Sequence, residues 1–349
     1  MRSILISAAM QAGFWTMFSV VSAGLLPAEV VRITVSQEGH ADFQWLQEAI
    51  DHAPASGGAI IFVAPGVYHE KIHVNKPGIV LVGTGKRPQD TVITWGDSAL
   101  NTGSTFKSGT VSVVGDGFEA ENLSIVNTWW RDHTGAKDPS QAVALLLESD
   151  RAVLDHVRII SGQDTLYANS SRCRGTLDAP CRADRQFFND CYVEGNVDYI
   201  FGDANAVFDH CEFHSRPGSE VMITAQSRHS LLEDSGYYML NCRITGPDEG
   251  NKIVFGRPWR DYSTVLFYKT EIDQTLDAEG WSEWGGRLKT SDYREYKSYG
   301  PGVNGTHRIV QTPPLSAADE RRLNPSRLLA GEDHWDPKSA LFALHRLKQ

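Results

Sequence analysis

The sequence predicts an all-β fold, a right-handed parallel β-helix closed at its start by a capping helix. Three observations carry this expectation. Five segments align on one pattern: FEAENLSIV (118–126), AVLDHVRII (152–160), QFFNDCYVE (186–194), AVFDHCEFH (206–214) and YYMLNCRIT (237–245). The fifth place is polar in each (Asn122, His156, Asp190, His210, Asn241). The sixth is small or aliphatic (Leu123, Val157, Cys191, Cys211, Cys242), and the eighth is apolar. The sixth places lie 34, 34, 20 and 31 residues apart, which reads as a constant turn with loops of varying length. The strand-like runs are short and rarely joined by hairpin turns, which favours parallel pairing.

Taken in order, residues 1–28 read as a secretory signal: one early charge, Arg2, then a long uncharged apolar stretch ending in small residues. An uncleaved anchor is the alternative, because the stretch is long enough to span a bilayer. Residues 29–349 read as a single domain. VVRITVSQ (30–37) alternates like a strand. ADFQWLQEAIDHAP then places Phe43, Leu46 and Ile50 on one helical face, with Asp42 as N-cap, and suits a cap over the open end of a solenoid. The runs AIIFVAP, KIHV, GIVLVG, TVITW and TVSVVG supply the first turns, and the five aligned segments the later ones. The coil is expected to end near residue 285, with the polar remainder packed along the outside.

The net charge of −10 argues against non-specific nucleic-acid binding. Five cysteines suit an oxidising compartment, secreted or periplasmic. Cys191 and Cys211 share a repeat place on successive turns and are the expected disulfide. Cys242 follows one turn later, and Cys173 and Cys181 are placed to close a second bridge around a short polar loop.

The repeat also places chemistry. Asp164 lies seven residues after Val157 and Asp198 seven after Cys191, so the two carboxylates fall on neighbouring turns, about 5 Å apart. Aligning MITAQ (222–226) with IVFGR (253–257) stacks Gln226 beside Arg257 on the same wall. Gln163 precedes Asp164, Gln141 opens QAVALLL one turn earlier, and Pro258–Trp259 presents an aromatic plate. No GxSxG or HExxH motif occurs, so neither a serine nucleophile nor a metal is expected. A carboxylate held by arginine stays ionised and attacks; a second beside it keeps its proton and donates it. Carboxamide N–H groups stabilise an oxyanion. Glycoside hydrolysis needs a similar carboxylate pair, but the carboxamides favour ester cleavage on a carbohydrate.

The ordered set GVYHEKI, SGTVSV, QAVAL, GQDTLY, VDYIFG and GRPW resembles the pectin methylesterase (pectinesterase) family over most of residues 31–305. The resemblance implies removal of methyl esters from homogalacturonan, with no cofactor, by a monomer not held at a membrane after signal cleavage. It implies Asp198 as nucleophile, Asp164 as general acid then base, Gln163 and Gln141 as oxyanion hole, and Arg257 as the group that orients Asp198. Trp259 and Phe201 would line the sugar cleft, with Tyr167 and Thr105 as further substrate contacts. Phe255, Tyr199 and Asp203 depart from the family's usual Leu, Phe and Asn, and are expected to tune the site. The long segment 169–185 is expected to reshape one rim. Two alternatives keep the same fold: an esterase for another ester or thioester, such as an acyl-CoA, and a non-catalytic pectin-binding protein.

Overall fold

The computed structural model describes residues 30–133, 140–173, 178–218, 220–247, 252–303 and 307–346, so the expected signal at 1–28 lies outside the described residues. From Val31 onward the chain forms one compact unit. All strand pairing in its three sheets, of ten, eight and seven strands, is parallel. The chain visits them cyclically: Ala152–Asp155 joins the first, Arg158–Ile160 the second, Leu166–Ala168 the third, and Arg185–Asn189 returns to the first. This is a parallel β-helix.

The repeat read from sequence is the register of the coil. Tyr68, Ile93, Ile125, Ile159, Val193, Phe213, Ile244 and Ile272 pair successively across the eight-stranded sheet and are fully buried. The polar fifth place has a backbone cause. Asn122, His156, Asp190, His210 and Asn241 all have φ between 48° and 57°, in the left-handed region. That single residue makes the corner between the first two sheets, and Asn, Asp and His tolerate it better than most. In the ten-stranded sheet both faces are covered, which explains its near-continuous apolar runs. Leu154, Phe188, Phe208, Met239 and Phe267 point into the coil. Val153, Phe187, Val207 and Leu266 point outward under Leu329, Trp335 and Leu341 of the C-terminal segment.

Two boundaries differ from expectation. The capping helix is shorter, Leu46–His52, and Asp42 does not cap it. The Asp42 carboxylate instead accepts from the backbone N–H and hydroxyl of Thr34, both at 2.8 Å. The helix N-terminus is satisfied from a distance: Glu70 accepts from the backbone N–H groups of Leu46 and Gln47, both at 2.9 Å. The coil also runs past residue 285, because Asp292–Tyr296 adds the tenth strand to the first sheet. Among the described residues, no helix is long and apolar enough to cross a membrane.

The expected Cys191–Cys211 disulfide is not formed. The bond joins Cys173 to Cys181, and Cys191, Cys211 and Cys242 are free and buried. Equivalent places on successive parallel turns are translated copies about 4.8 Å apart, so their side chains run alongside each other rather than converging as a disulfide requires. Their Sγ atoms lie instead 3.4 Å from Leu154, Phe188 and Phe208 carbonyl oxygens on the preceding turns. Burial pushes the Cys191 and Cys211 thiols well up and leaves them unreactive. Peptide mapping without reduction should recover one linked pair, Cys173–Cys181, with the other three alkylated only after denaturation. A 191–211 linked peptide would overturn this assignment.

Candidate active site

Asp164 and Asp198 sit at a second set of corners, between the eight- and seven-stranded sheets. Both are left-handed, with φ of 61° and 51°. Aspartate is therefore suited to these turns on backbone grounds alone, and the turns aim it at the groove. The strands that follow them are in register, Leu166 beside Ile200 and Tyr167 beside Phe201, and the Asp164 N–H donates to the Val197 carbonyl at 3.0 Å. The two carboxylates thus lie on adjacent rungs, as the repeat phase predicts.

Arg257 enters from two turns further on. Its guanidinium grips Asp198 at two points: Nε donates to Oδ1 at 2.8 Å and Nη2 to Oδ2 at 2.6 Å. Gly256 makes this approach possible. Its φ is 157°, and a Cβ there would fall 2.0 Å from Thr224 Oγ1. The register here corrects the expected stacking of Gln226 on Arg257. Thr224 pairs with Gly256, so Arg257 lies one place along, beside Ala225. A one-residue slip sends a side chain to the other face of the sheet. Gln226 is fully buried, donating to Ser235 Oγ and accepting from the Arg228 and Thr264 N–H groups.

The groove is a cavity of 390 Å³ lined by Thr105, Phe106, Gln141, Gln163, Asp164, Asp198, Phe201, Ala225, Arg257, Trp259 and Trp284. Eight of the nine site and substrate residues picked from sequence therefore meet in one place. The exception is Tyr167, which packs beneath the floor, with ring centroids 4.7 Å from Phe201 and 5.0 Å from Phe106. Two aromatic residues join the set. Trp284 stacks under Arg257, the guanidinium carbon 4.2 Å from the ring centroid, and Phe106 forms one rim. Trp281, three residues earlier, is instead fully buried in the core. Phe106 lies in the short 3₁₀ turn Thr105–Lys107, off the repeat, and carried no signal.

The residues that depart from the family pattern lie away from the groove. Phe255 and Tyr199 are interior. Asp203 faces a different loop, with Oδ1 accepting from the Ser170 N–H at 2.8 Å. None of the described residues of 169–185 lines the groove. That segment carries the disulfide and meets the C-terminal segment through Arg182–Glu332 and Arg185–Asp333 ion pairs.

The two carboxyl groups differ in environment. Asp164 is held well above the usual carboxylate range, first by burial and then by the negative charge of Asp198, with Arg257 pulling weakly the other way. Asp198 is also raised, because burial outweighs the hydrogen bonds and charge of Arg257. The bidentate guanidinium makes Asp198 the first of the two to ionise. Each carboxylate discourages the second charge, so the pair favours one proton between them, held on Asp164. The Gln141 and Gln163 carboxamides make no hydrogen bond to the described residues and are open to a ligand.

The family model described as Pectinesterase matches residues 32–321. A curated relative from Arabidopsis thaliana, "Probable pectinesterase/pectinesterase inhibitor 17", is 37% identical over 322 residues, covering 88% of this chain and 58% of its own length. Pectinesterase 31 of Arabidopsis thaliana is 33% identical over 292 residues, covering 79% of this chain and 85% of its own. A solved pectin methylesterase from carrot is 30% identical, with a TM-score of 0.76, over 90% of this chain and 95% of that one. The chain thus spans little more than half the length of the first of these relatives.

Proposed function

This chain belongs to the pectinesterase family, and from that premise and the groove we propose that it hydrolyses the methyl esters of homogalacturonan. One observation carries the reading: two buried carboxylates on adjacent rungs, one gripped by Arg257, between open carboxamides and sugar-sized aromatic plates. Asp198 attacks the ester carbonyl carbon. The carbonyl electron pair moves onto oxygen, where the Gln163 and Gln141 N–H groups receive it. As the tetrahedral intermediate collapses, Asp164 gives its proton to the methoxy oxygen and methanol leaves. The galacturonyl group is then held on Asp198 as an acid anhydride. Asp164, now a carboxylate, takes a proton from water, whose oxygen attacks the sugar carbonyl. Collapse returns the carboxylate of Asp198 and leaves the product acid. Trp259 and Phe106 offer faces for sugar rings, Phe201 packs in the groove's floor, and Thr105 offers a hydroxyl at the rim. No feature of the groove favours a nucleotide-bearing thioester over a polysaccharide.

The reaction takes place outside the cytoplasm on this reading, after loss of residues 1–28 from a single-domain monomer. The Cys173–Cys181 bond supports an oxidising compartment.

The test is methanol release from methylated pectin by the purified chain, followed against pH. Asp198 must be ionised and Asp164 protonated, so kcat/KM should be bell-shaped. Activity is lost on the acid side as Asp198 takes up its proton, at a pH above the ordinary carboxylate value because its pKa is raised. On the alkaline side it is lost as Asp164 ionises, at a pH higher still. A profile rising with pH without an alkaline limb would remove Asp164 from the acid's role.

A further inference from the structure

We propose that Asp203, His229 and Glu233 form a binding site for a single divalent ion of the zinc type, outside the groove. One ligand atom from each of the three residues lies within 4.8 Å of the others. Asp203 comes at the end of the strand Ile200–Gly202, and His229 and Glu233 from the loop after Glu220–Gln226. Because the three come from two separate segments, no compact motif announces the set.

Charge and burial both point to a cation. Asp203 and Glu233 are 4% and 3% exposed, so two carboxylates face each other almost out of water. Glu233 Oε2 accepts from the His229 N–H at 2.8 Å, but its Oε1 is buried with no hydrogen-bond partner. A buried carboxylate oxygen without a donor is costly and calls for one. His229 Nδ1 stands 3.6 Å from Asp203 Oδ2, too far for a good hydrogen bond. Two ligand atoms bound to one tetrahedral zinc at bond lengths of about 2.1 Å are about 3.4 Å apart. The charged groups facing the imidazole are Asp203, Glu233 and Arg260. Asp203, with Glu233, favours a positive charge at the ring against Arg260, so an ion bound here takes the place of the ring proton.

A dication with two carboxylates and one neutral imidazole balances the charge. The side chain of His229 is 42% exposed, giving the ion a route from solvent and leaving the fourth position to water. An imidazole in the set selects zinc over calcium, which prefers all-oxygen shells. The ion would tie the loop 227–235 to the coil. The same loop is bonded to the disulfide segment, with Cys181 N–H donating to Leu232 O and Asp234 N–H to Cys181 O.

The test uses the whole purified chain, stripped with chelator and equilibrated with buffered free zinc. The wild type should bind one zinc per chain. Free zinc about 100-fold above its Kd should raise Tm by about 4 °C. Asp203→Asn keeps an acceptor for the Ser170 N–H, and His229→Asn alters a half-exposed ring, so both should melt cooperatively in chelator. Each should weaken zinc binding by at least about tenfold and abolish the Tm shift. Failure of the wild type to bind stoichiometric zinc would overturn the proposal. So would undiminished binding in both variants, which would place any zinc elsewhere, or displacement of zinc by equimolar calcium, which would remove the imidazole from the shell.

Discussion

Asp198→Ala is expected to lower methanol release by at least about 10³-fold while the chain still melts cooperatively. The substitution removes the carboxylate that Arg257 grips through both oxygens, and Asp164 makes no hydrogen bond to Arg257 that would keep it ionised. Stability should fall only moderately, because the Arg257 left without its partner is partly exposed to water. The lost ion pair includes a carboxyl whose burial is unfavourable enough to raise its pKa, and Arg257 keeps its contact with Trp284. Activity within about tenfold of wild type, in a variant with an intact melting transition, would remove Asp198 from the nucleophile's role.

Asp164→Asn should lose about 10²- to 10⁴-fold, since an amide neither protonates methoxide nor deprotonates water. The same variant should be more stable than wild type at neutral pH, which separates a failed fold from failed chemistry. The sign follows from linkage. The Asp164 pKa in the folded chain is well above its unfolded value, so folding takes up a proton once the pH exceeds about 4. The wild type therefore has its full stability below the unfolded pKa and loses it as pH rises toward the folded one, at about 1.4 kcal/mol per pH unit. Asparagine takes up no proton. Its Tm advantage should grow from near zero at pH 4 to a maximum near the folded pKa. A Tm difference independent of pH would mean that Asp164 titrates normally.

The aspartate pair was legible in the sequence because a coil of constant phase carries residues seven places beyond equivalent positions onto adjacent rungs. The polar fifth place was legible as a ladder, but its reason, a left-handed corner, belongs to the backbone. Phase alone misled in two places. It put Cys191 and Cys211 in one column without saying that side chains in such a column run parallel. It also aligned Gln226 with Arg257, where the pairing is already one residue further along at Glu220 and Lys252, because the connection before Lys252 holds one residue more than the one before Glu220. Trp284 and Phe106 were hidden for a simpler reason: both lie in turns outside the repeat, where neither pattern nor spacing says which way a ring faces.

The position of the reacting turns in the seven-stranded sheet has a kinetic meaning. Leu166–Ala168 and Ile200–Gly202 are its fourth and third strands, with at least two more on either side. In a one-dimensional stack, each turn leans only on its neighbours, so thermal fraying starts at the ends and works inward. The amides flanking Asp164 and Asp198 are then the last to exchange with solvent. Partial melting of the first or last turns leaves the spacing of the two carboxylates unchanged, and inactivation on heating follows cooperative loss of the middle of the stack.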